Sequence, residues 1–398
     1  MMNYDDAIEW LYGTQLFGMK LGLESVAELL GTLGLPAEEQ KFIHVAGTNG
    51  KGSVCAMADS VLREAGYRVG LFTSPHLVSY RERIVVDGEM VEEALIGETL
   101  TRIRELVSDW ETHPTFFEIT LALAMSVFAE KRVEVVVLET GMGGRLDATN
   151  VVTPEVSVIT PVALDHMQWL GETLELVAAE KAGIIKPGVP VVSSPQLIEV
   201  LGVLKARADE CGVALEEVAE EYSGEVGLLG SHQRMNAAVA LAAIVAGGFE
   251  ISQQSAASGL AKVCWRARFQ RIGERLVIDG AHNPAAAKTA VASWREVFGD
   301  EKATVIFGAV ESKDVSGVLE SLAQVAGRWV FTNVNSVRSL DASDLAQLVD
   351  GDVVVVKDAP SALAETAGDA RVLVCGSLFL AGEVLSLVAG GDFERSAQ

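Results

Sequence analysis

The chain has 398 residues, which at ~150 residues per domain predicts two to three domains and excludes a single small binding module. Hydrophobic residues make up 49% and charged residues 22%, ordinary globular usage that excludes wholesale disorder, collagen and disulfide scaffolds. Thirty-one Lys and Arg against 55 Asp and Glu leave a net charge of −24, which opposes sequence-independent attraction to nucleic acid or anionic membrane, so an anionic ligand must be held by local cations.

The N-terminus MMNYDDAIEW lacks the basic and apolar regions of a signal peptide, and no apolar run reaches the ~18 residues that span a bilayer, so a cytoplasmic protein is expected. Asp5 to Leu35 predicts two short amphipathic helices interrupted by GTQLFGMKLGLE. KFIHVA (41–46) reads as a strand, 53–65 as a helix and YRVGLFT (67–73) as the next strand, a β-loop-α-β unit. Strands follow at 133–139, 156–160 and 189–193, with helices at 116–131 and 173–183 between them. From Arg275 the rhythm restarts with RLVIDGA, ATVIFGA, RWVFTNV, DVVVVKD and RVLVCGS. The expected class is α/β: a P-loop, doubly wound, mostly parallel sheet domain (1–268) followed by a smaller Rossmann-like α/β domain (269–398), with the junction in WRARFQRIGE. Cys55, Cys211, Cys264 and Cys375 lie far apart without a CxxC, which predicts buried thiols in a reducing compartment.

VAGTNGKGS (45–53) joins a strand to a helix. Its glycines let backbone N–H groups turn toward a phosphate, Lys51 supplies a point charge and Ser53 can reach a phosphate-bound Mg²⁺, so a nucleotide triphosphate site is expected rather than a bare glycine turn. The strict GxxxxGK[ST] pattern fails, because Val45 replaces its first glycine and Gly52 is inserted before Ser53. Glu139 ends a strand and is a hard oxygen ligand for Mg²⁺ or the cap of a turn. Asp165 and His166 follow a third strand, and His166 is a ligand or a structural histidine. Lys181 alone reads as easily as a solvated lysine at a helix end, and Gln233 and Asn236 as helix-start donors or caps. Asp279 and His282 in DGAHNP stand at another strand end, and these separate strand ends together predict a cleft between two domains.

The ordered motifs GMKLGLE, GTNGKGS, TSPHL with ERI, ETGMGGRLDATN, LDH, EKAGIIK, HQxxN, DGAHNP and GSLFLAGE resemble the folylpolyglutamate synthase and dihydrofolate synthase group of the Mur ligase superfamily over nearly the whole chain. The resemblance implies ATP-driven amide formation: a folate carboxylate takes the γ-phosphate of ATP, and the acyl phosphate is captured by the amine of L-glutamate. It implies ATP contacts at Thr48, Asn49, Gly50, Lys51, Gly52, Ser53, Asn236, Arg268 and Asp279, and Mg²⁺ ligands at Ser53, Ser74, Glu139 and His166. Lys181 would be carbamylated and support the metal site; Lys51, Lys181 and His282 would be the catalytic side chains. His282 and Ser377 would lie near the incoming glutamate, and Lys20, Phe116, Phe117, Glu118, Arg145 and Leu146 would form the folate pocket. A monomer is expected, with ATP, folate or dihydropteroate and L-glutamate as its partners.

Two departures from the family pattern stand out. WRARF (265–269) replaces the usual WPGRF at the linker, and Lys20 stands where bifunctional bacterial members often carry an acidic residue, which predicts reduced folates as better acceptors than dihydropteroate. Two other readings compete. A Mur enzyme acting on a peptidoglycan precursor shares the ATP loop and the lysine but would need a further N-terminal domain, and a P-loop ATPase switch would not need DGAHNP or a second doubly wound domain.

Overall fold

The structure, a computed structural model, describes residues 1–17, 22–311, 314–391 and 393–394. Two sheets organise it. The first contains β1 (Lys41–Ala46), β2 (Val69–Phe72), β3 (Ile84–Val86), β4 (Glu89–Met90), β5 (Val135–Glu139), β6 (Val156–Ile159), β7 (Val191–Ser193) and β8 (Leu215–Glu217), in the order β4-β3-β2-β5-β1-β6-β7-β8. All its pairings are parallel except β2 with β3 and β3 with β4. The second contains β9 (Gln270–Ile272), β10 (Leu276–Ile278), β11 (Ala303–Phe307), β12 (Ala326–Thr332), β13 (Val353–Val356) and β14 (Val372–Cys375), in the order β13-β12-β11-β14-β10-β9, with β9 alone antiparallel.

Alternation of side chains builds a core on each face. In β5, Val136 and Leu138 face the helices Tyr4–Gly13, Glu24–Leu33, Glu93–Val107 and Phe116–Glu130, whereas Val135 and Val137 face Lys51–Glu64 and Ser231–Ala246. The second sheet repeats the arrangement, with Val305 and Phe307 on one face and Ile306 on the other. The Lys51–Glu64 helix is buried continuously from Gly52 to Leu62, because it is enclosed by the sheet and by the helices Ser231–Ala246 and Gln253–Lys262. Among the described residues no helix is long and apolar enough to cross a membrane.

The expected strands are present with ends shifted by up to three residues. The sequence did not disclose β3, β4, β8 and β9, which are at most three residues long and too polar or too short for a period to register. Three cysteines are buried as expected, but Cys264 is exposed in the segment joining the two sheets.

Candidate active site

A cavity of about 1430 Å³ lies between the two sheets. Its wall holds Thr48, Asn49, Gly50, Lys51, Gly52, Ser53, Ser74, Glu139, His166, Asn236 and Arg268 from the first part of the chain, and Asp279, His282 and Ser377 from the second. Phe116, Phe117, Glu118, Arg145 and Leu146 line it as well. Every site residue expected from the sequence is therefore on this wall except Lys181, which lies behind it, and Lys20, which is outside the described residues.

The phosphate loop leaves the carboxyl end of β1 and enters its helix through Gly50, whose φ of 89° is a left-handed conformation that glycine adopts without a steric penalty. Thr48 and Asn49 donate their N–H groups to the Pro161 carbonyl at 3.0 and 3.2 Å, which ties the loop to the end of β6. Lys51 Nζ stands 3.9 Å from Glu139 Oε1, and the Ser74 N–H donates to Glu139 Oε2 at 3.1 Å. Burial pushes the Glu139 carboxyl upward, while Lys51 and the Ser74 N–H oppose that shift. The Ser53 and Ser74 hydroxyls are both buried without a hydrogen-bond partner among the described residues. Two orphaned hydroxyls beside a carboxylate are hard oxygen donors, and they fit a small divalent cation. Among the described residues no three His, Cys, Asp or Glu side chains come together as a metal cage.

Lys181 sits in the last turn of the Leu174–Ala182 helix and is 3% exposed. Its Nζ donates to the Gly47 carbonyl at 2.8 Å, beneath the phosphate loop. Burial, followed by the neighbouring Lys51 charge, brings its ammonium down to about 7, against weaker opposition from Asp165 and Asp147. The solvated-lysine reading of this residue is thereby excluded.

A polar bridge crosses the cleft. Asn49 and Asn283 pair through their amides at 3.3 and 3.1 Å, and Asn283 Nδ2 also donates to Asp165 Oδ2 at 3.2 Å. His282 Nε2 lies 3.5 Å from the same carboxylate oxygen, while its Nδ1 is 2.8 Å from the Gly280 carbonyl. A carbonyl can only accept, so Nδ1 carries a proton. His166 occupies a left-handed position before the short helix Met167–Leu170, with Nε2 3.8 Å from Asp165 Oδ1. Asp279 accepts from the Phe269 and Ala281 N–H groups at 2.7 and 2.8 Å, so it shapes the linker as well as the wall. Arg268 is bonded to the Ala267 carbonyl at 3.1 Å, and Asn236 donates to Gln233 at 2.9 Å.

At the other end of the cavity the wall is aromatic. Phe116 stacks on Tyr12 at 5.6 Å, and Phe117 meets Phe72 edge-on at 5.8 Å. Glu118 also has a local duty, accepting from the Thr115 N–H at 2.6 Å in a capping box. Arg145 is half exposed and paired with Glu180 at 2.7 Å. Ser377 caps the Leu378–Ala389 helix by accepting from the Phe379 N–H at 3.1 Å. Sequence reasoning missed Arg83, fully buried behind this end, with its guanidinium 5.4 Å from the Phe116 ring and its Nε 2.9 Å from His76 Nδ1. Its place in the ERI motif was visible; its burial was not. Asn283 and Asp147 were also missed, the latter a buried carboxylate that accepts from Met142 and Thr149 N–H groups.

The Mur ligase middle domain matches residues 45–190, and the Mur ligase glutamate ligase domain matches residues 267–378. A dihydrofolate synthase/folylpolyglutamate synthase of Bacillus subtilis is 36% identical over 377 residues, covering 86% of this chain and 88% of that one. FolC of E. coli, solved in complex with DHPP and ADP, superposes with a TM-score of 0.87 at 31% identity over 96% of this chain and 98% of that one. A bifunctional folylpolyglutamate synthase/dihydrofolate synthase solved with Mn, AMPPNP and L-glutamate gives 0.87 at 29% identity, over 96% and 98%. With both Mur ligase domains and a relative this similar over most of its length, the chain belongs to the folylpolyglutamate synthase/dihydrofolate synthase family of the Mur ligases.

Proposed function

We propose that this protein joins L-glutamate to the carboxylate of a folate at the expense of ATP, with residues 1–268 and 269–398 acting as two domains that close on the reactants. The observation that carries this reading is the single cavity in which the phosphate loop and Glu139 face His282 and Ser377 across the Asn49–Asn283–Asp165 bridge. Relatives solved with a nucleotide, DHPP and L-glutamate support it.

Lys51 and the loop N–H groups hold the β- and γ-phosphates, with Asn236, Arg268 and Asp279 as further nucleotide contacts. Ser53, Ser74, Glu139 and His166 would hold Mg²⁺, which when bound offsets phosphate charge and polarises the γ-phosphoryl group. The folate lies along Phe116 and Phe117 with its carboxylate toward the phosphates. Its carboxylate oxygen bonds to the γ-phosphorus as the bond to the ADP oxygen breaks. The glutamate amine then attacks the acyl carbon, phosphate leaves and the amide forms. With Nδ1–H held by the Gly280 carbonyl, neutral His282 offers the Nε2 lone pair to the proton released by the amine, and Asp165 at 3.5 Å stabilises the imidazolium so formed. Ser377 orients the amino acid. Lys181, buried beside Gly47 with its amine near neutrality, has the chemistry to react with CO₂ and become a carbamate that supports the cation site.

The test is ADP release with L-glutamate plus tetrahydrofolate, dihydropteroate, a muropeptide precursor or no acceptor. Tetrahydrofolate gives the highest rate and dihydropteroate a lower one, the order set by Lys20. Release with the muropeptide alone, or equally without acceptor, overturns the reading.

A further inference from the structure

The chain after β2 serves both halves of the molecule. Ser74, at its start, is on the cavity wall beside Glu139. Glu82 folds back to accept from the N–H groups of Leu77, Val78 and Ser79 at 2.8, 3.1 and 3.2 Å, which makes 74–83 a compact loop. The Tyr80 ring closes the aromatic end of the cavity from behind, against Tyr12 and Phe116, and its hydroxyl bonds Thr120 at 3.1 Å. Leu77 and Val78 pack into the apolar cluster of the second sheet. There the Leu378–Ala389 helix approaches so closely that a Cβ on Gly382 would lie 2.0 Å from the Leu77 carbonyl oxygen.

Beyond that helix, the chain returns to the same loop. The Glu394 N–H donates to the Val78 carbonyl at 2.8 Å, and its carboxylate accepts from the Tyr80 N–H at 2.6 Å, the Tyr4 hydroxyl at 3.1 Å and the Ser79 hydroxyl at 3.3 Å. One carboxylate thus satisfies donors on the loop and on the first helix, and charge-assisted bonds of this kind are about twice as strong as neutral ones. Among the described residues no other segment supplies an acceptor to the Tyr80 N–H.

We propose that Glu394 is a positioning residue for the acceptor end of the active site: it clamps residues 77–83, the part of the loop beyond Ser74, against the Tyr4–Gly13 helix and so fixes the aromatic wall on which the folate rests. The inference rests on the proposed function for its kinetic consequence and on geometry alone for the clamp. Loss of the clamp loosens the acceptor site and leaves the phosphate loop, which Glu394 does not touch, unaltered.

The full-length protein with Glu394→Ala, Glu394→Gln and Tyr4→Phe tests this by hydrogen exchange and steady-state kinetics. In Glu394→Ala the amides of 77–83 exchange at least tenfold faster while those of 48–54 are unchanged, and the KM for tetrahydrofolate rises five- to tenfold with kcat and the KM for ATP within twofold of wild type. Tyr4→Phe gives a smaller rise in the same constant, and Glu394→Gln, whose carbonyl still accepts from Tyr80, recovers most of the loss. Unchanged exchange in 77–83 overturns the clamp, as does a comparable rise in the KM values for tetrahydrofolate, ATP and L-glutamate with a fall in kcat. A wild-type protein without folate-dependent ADP release overturns the functional reading, and the exchange result still decides the clamp.

Discussion

Lys181 shows how burial converts one residue type into different chemistry. An ordinary lysine titrates near 10.4 and is almost wholly charged at neutral pH, whereas here the amine is brought down to about 7. Only the neutral form attacks CO₂, so at pH 8 the reactive form outnumbers the ammonium about tenfold and at pH 6 the ratio is reversed. The expected outcome is a carbamate ¹³C signal under labelled bicarbonate that is strong at pH 8, fades toward pH 6 and is missing in Lys181→Ala. That variant should lose at least 100-fold in rate and regain part of it with a short carboxylic acid; an unaltered rate would exclude the carbamate. The sequence carried Lys51, Glu139 and His282 to the site because each sits at a strand's carboxyl end, a position that local pattern reveals. It could not reveal the environment of Lys181 or Arg83, because burial of a charge depends on segments distant in the chain.

Elements with a strong period were legible, and those defined only by their neighbours were not. KFIHVA announces β1 through its apolar residues, yet it also carries His44, which is fully buried. His44 Nε2 lies 2.8 Å from the Thr149 hydroxyl, and that hydroxyl donates to Asp147 at 2.5 Å, so the imidazole is the donor and its other nitrogen is bare. Burial, aided by the Lys186 charge, pulls His44 down to about 3. The unfolded chain takes up this proton near pH 6.5 and the folded one does not, so the unfolded state holds more protons between those values and stability falls as pH falls. From pH 7 to pH 5 the loss from this residue is about 2 kcal/mol. Denaturant midpoints should therefore drop over that interval in wild type and drop less in His44→Gln, whose amide can still donate to Thr149.

At the scale of the whole molecule, a charge of −24 coexists with a cavity whose wall includes Lys51, Arg268, Lys262 and Arg338, the local cations that the composition required. The two sheets are joined through WRARF, and the departure there has a backbone signature: Ala267 has φ 54° and Phe269 φ 44°. The family's glycine would stand at 267, where alanine adopts a left-handed conformation costing about 1–2 kcal/mol. The Ala267 methyl is buried in the second sheet's core, which returns about 0.8 kcal/mol. Glycine at this position also loses roughly 0.5–1 kcal/mol of unfolded-chain entropy. These contributions nearly cancel, so Ala267→Gly should change stability by no more than about 1 kcal/mol. Ala267→Val should cost more than about 2 kcal/mol, because a β-branched residue does not tolerate this φ. Thermal unfolding of the pair checks this, and equal losses in both would remove the backbone argument. The resemblance located the linker from its sequence, but only the geometry shows that the segment keeps its turn without its glycine.

The same segment places an indole against the phosphate loop. Trp265 is half-buried, and a Cβ on Gly52 would lie 2.7 Å from its Nε1. Tryptophan emission depends on the polarity and charge around the ring, so the linker carries an optical probe directed at the glycine-rich loop. Adding a non-hydrolysable ATP analogue should shift and quench the emission, and Trp265→Phe should remove that response, so that binding to the loop can be followed in solution without a label.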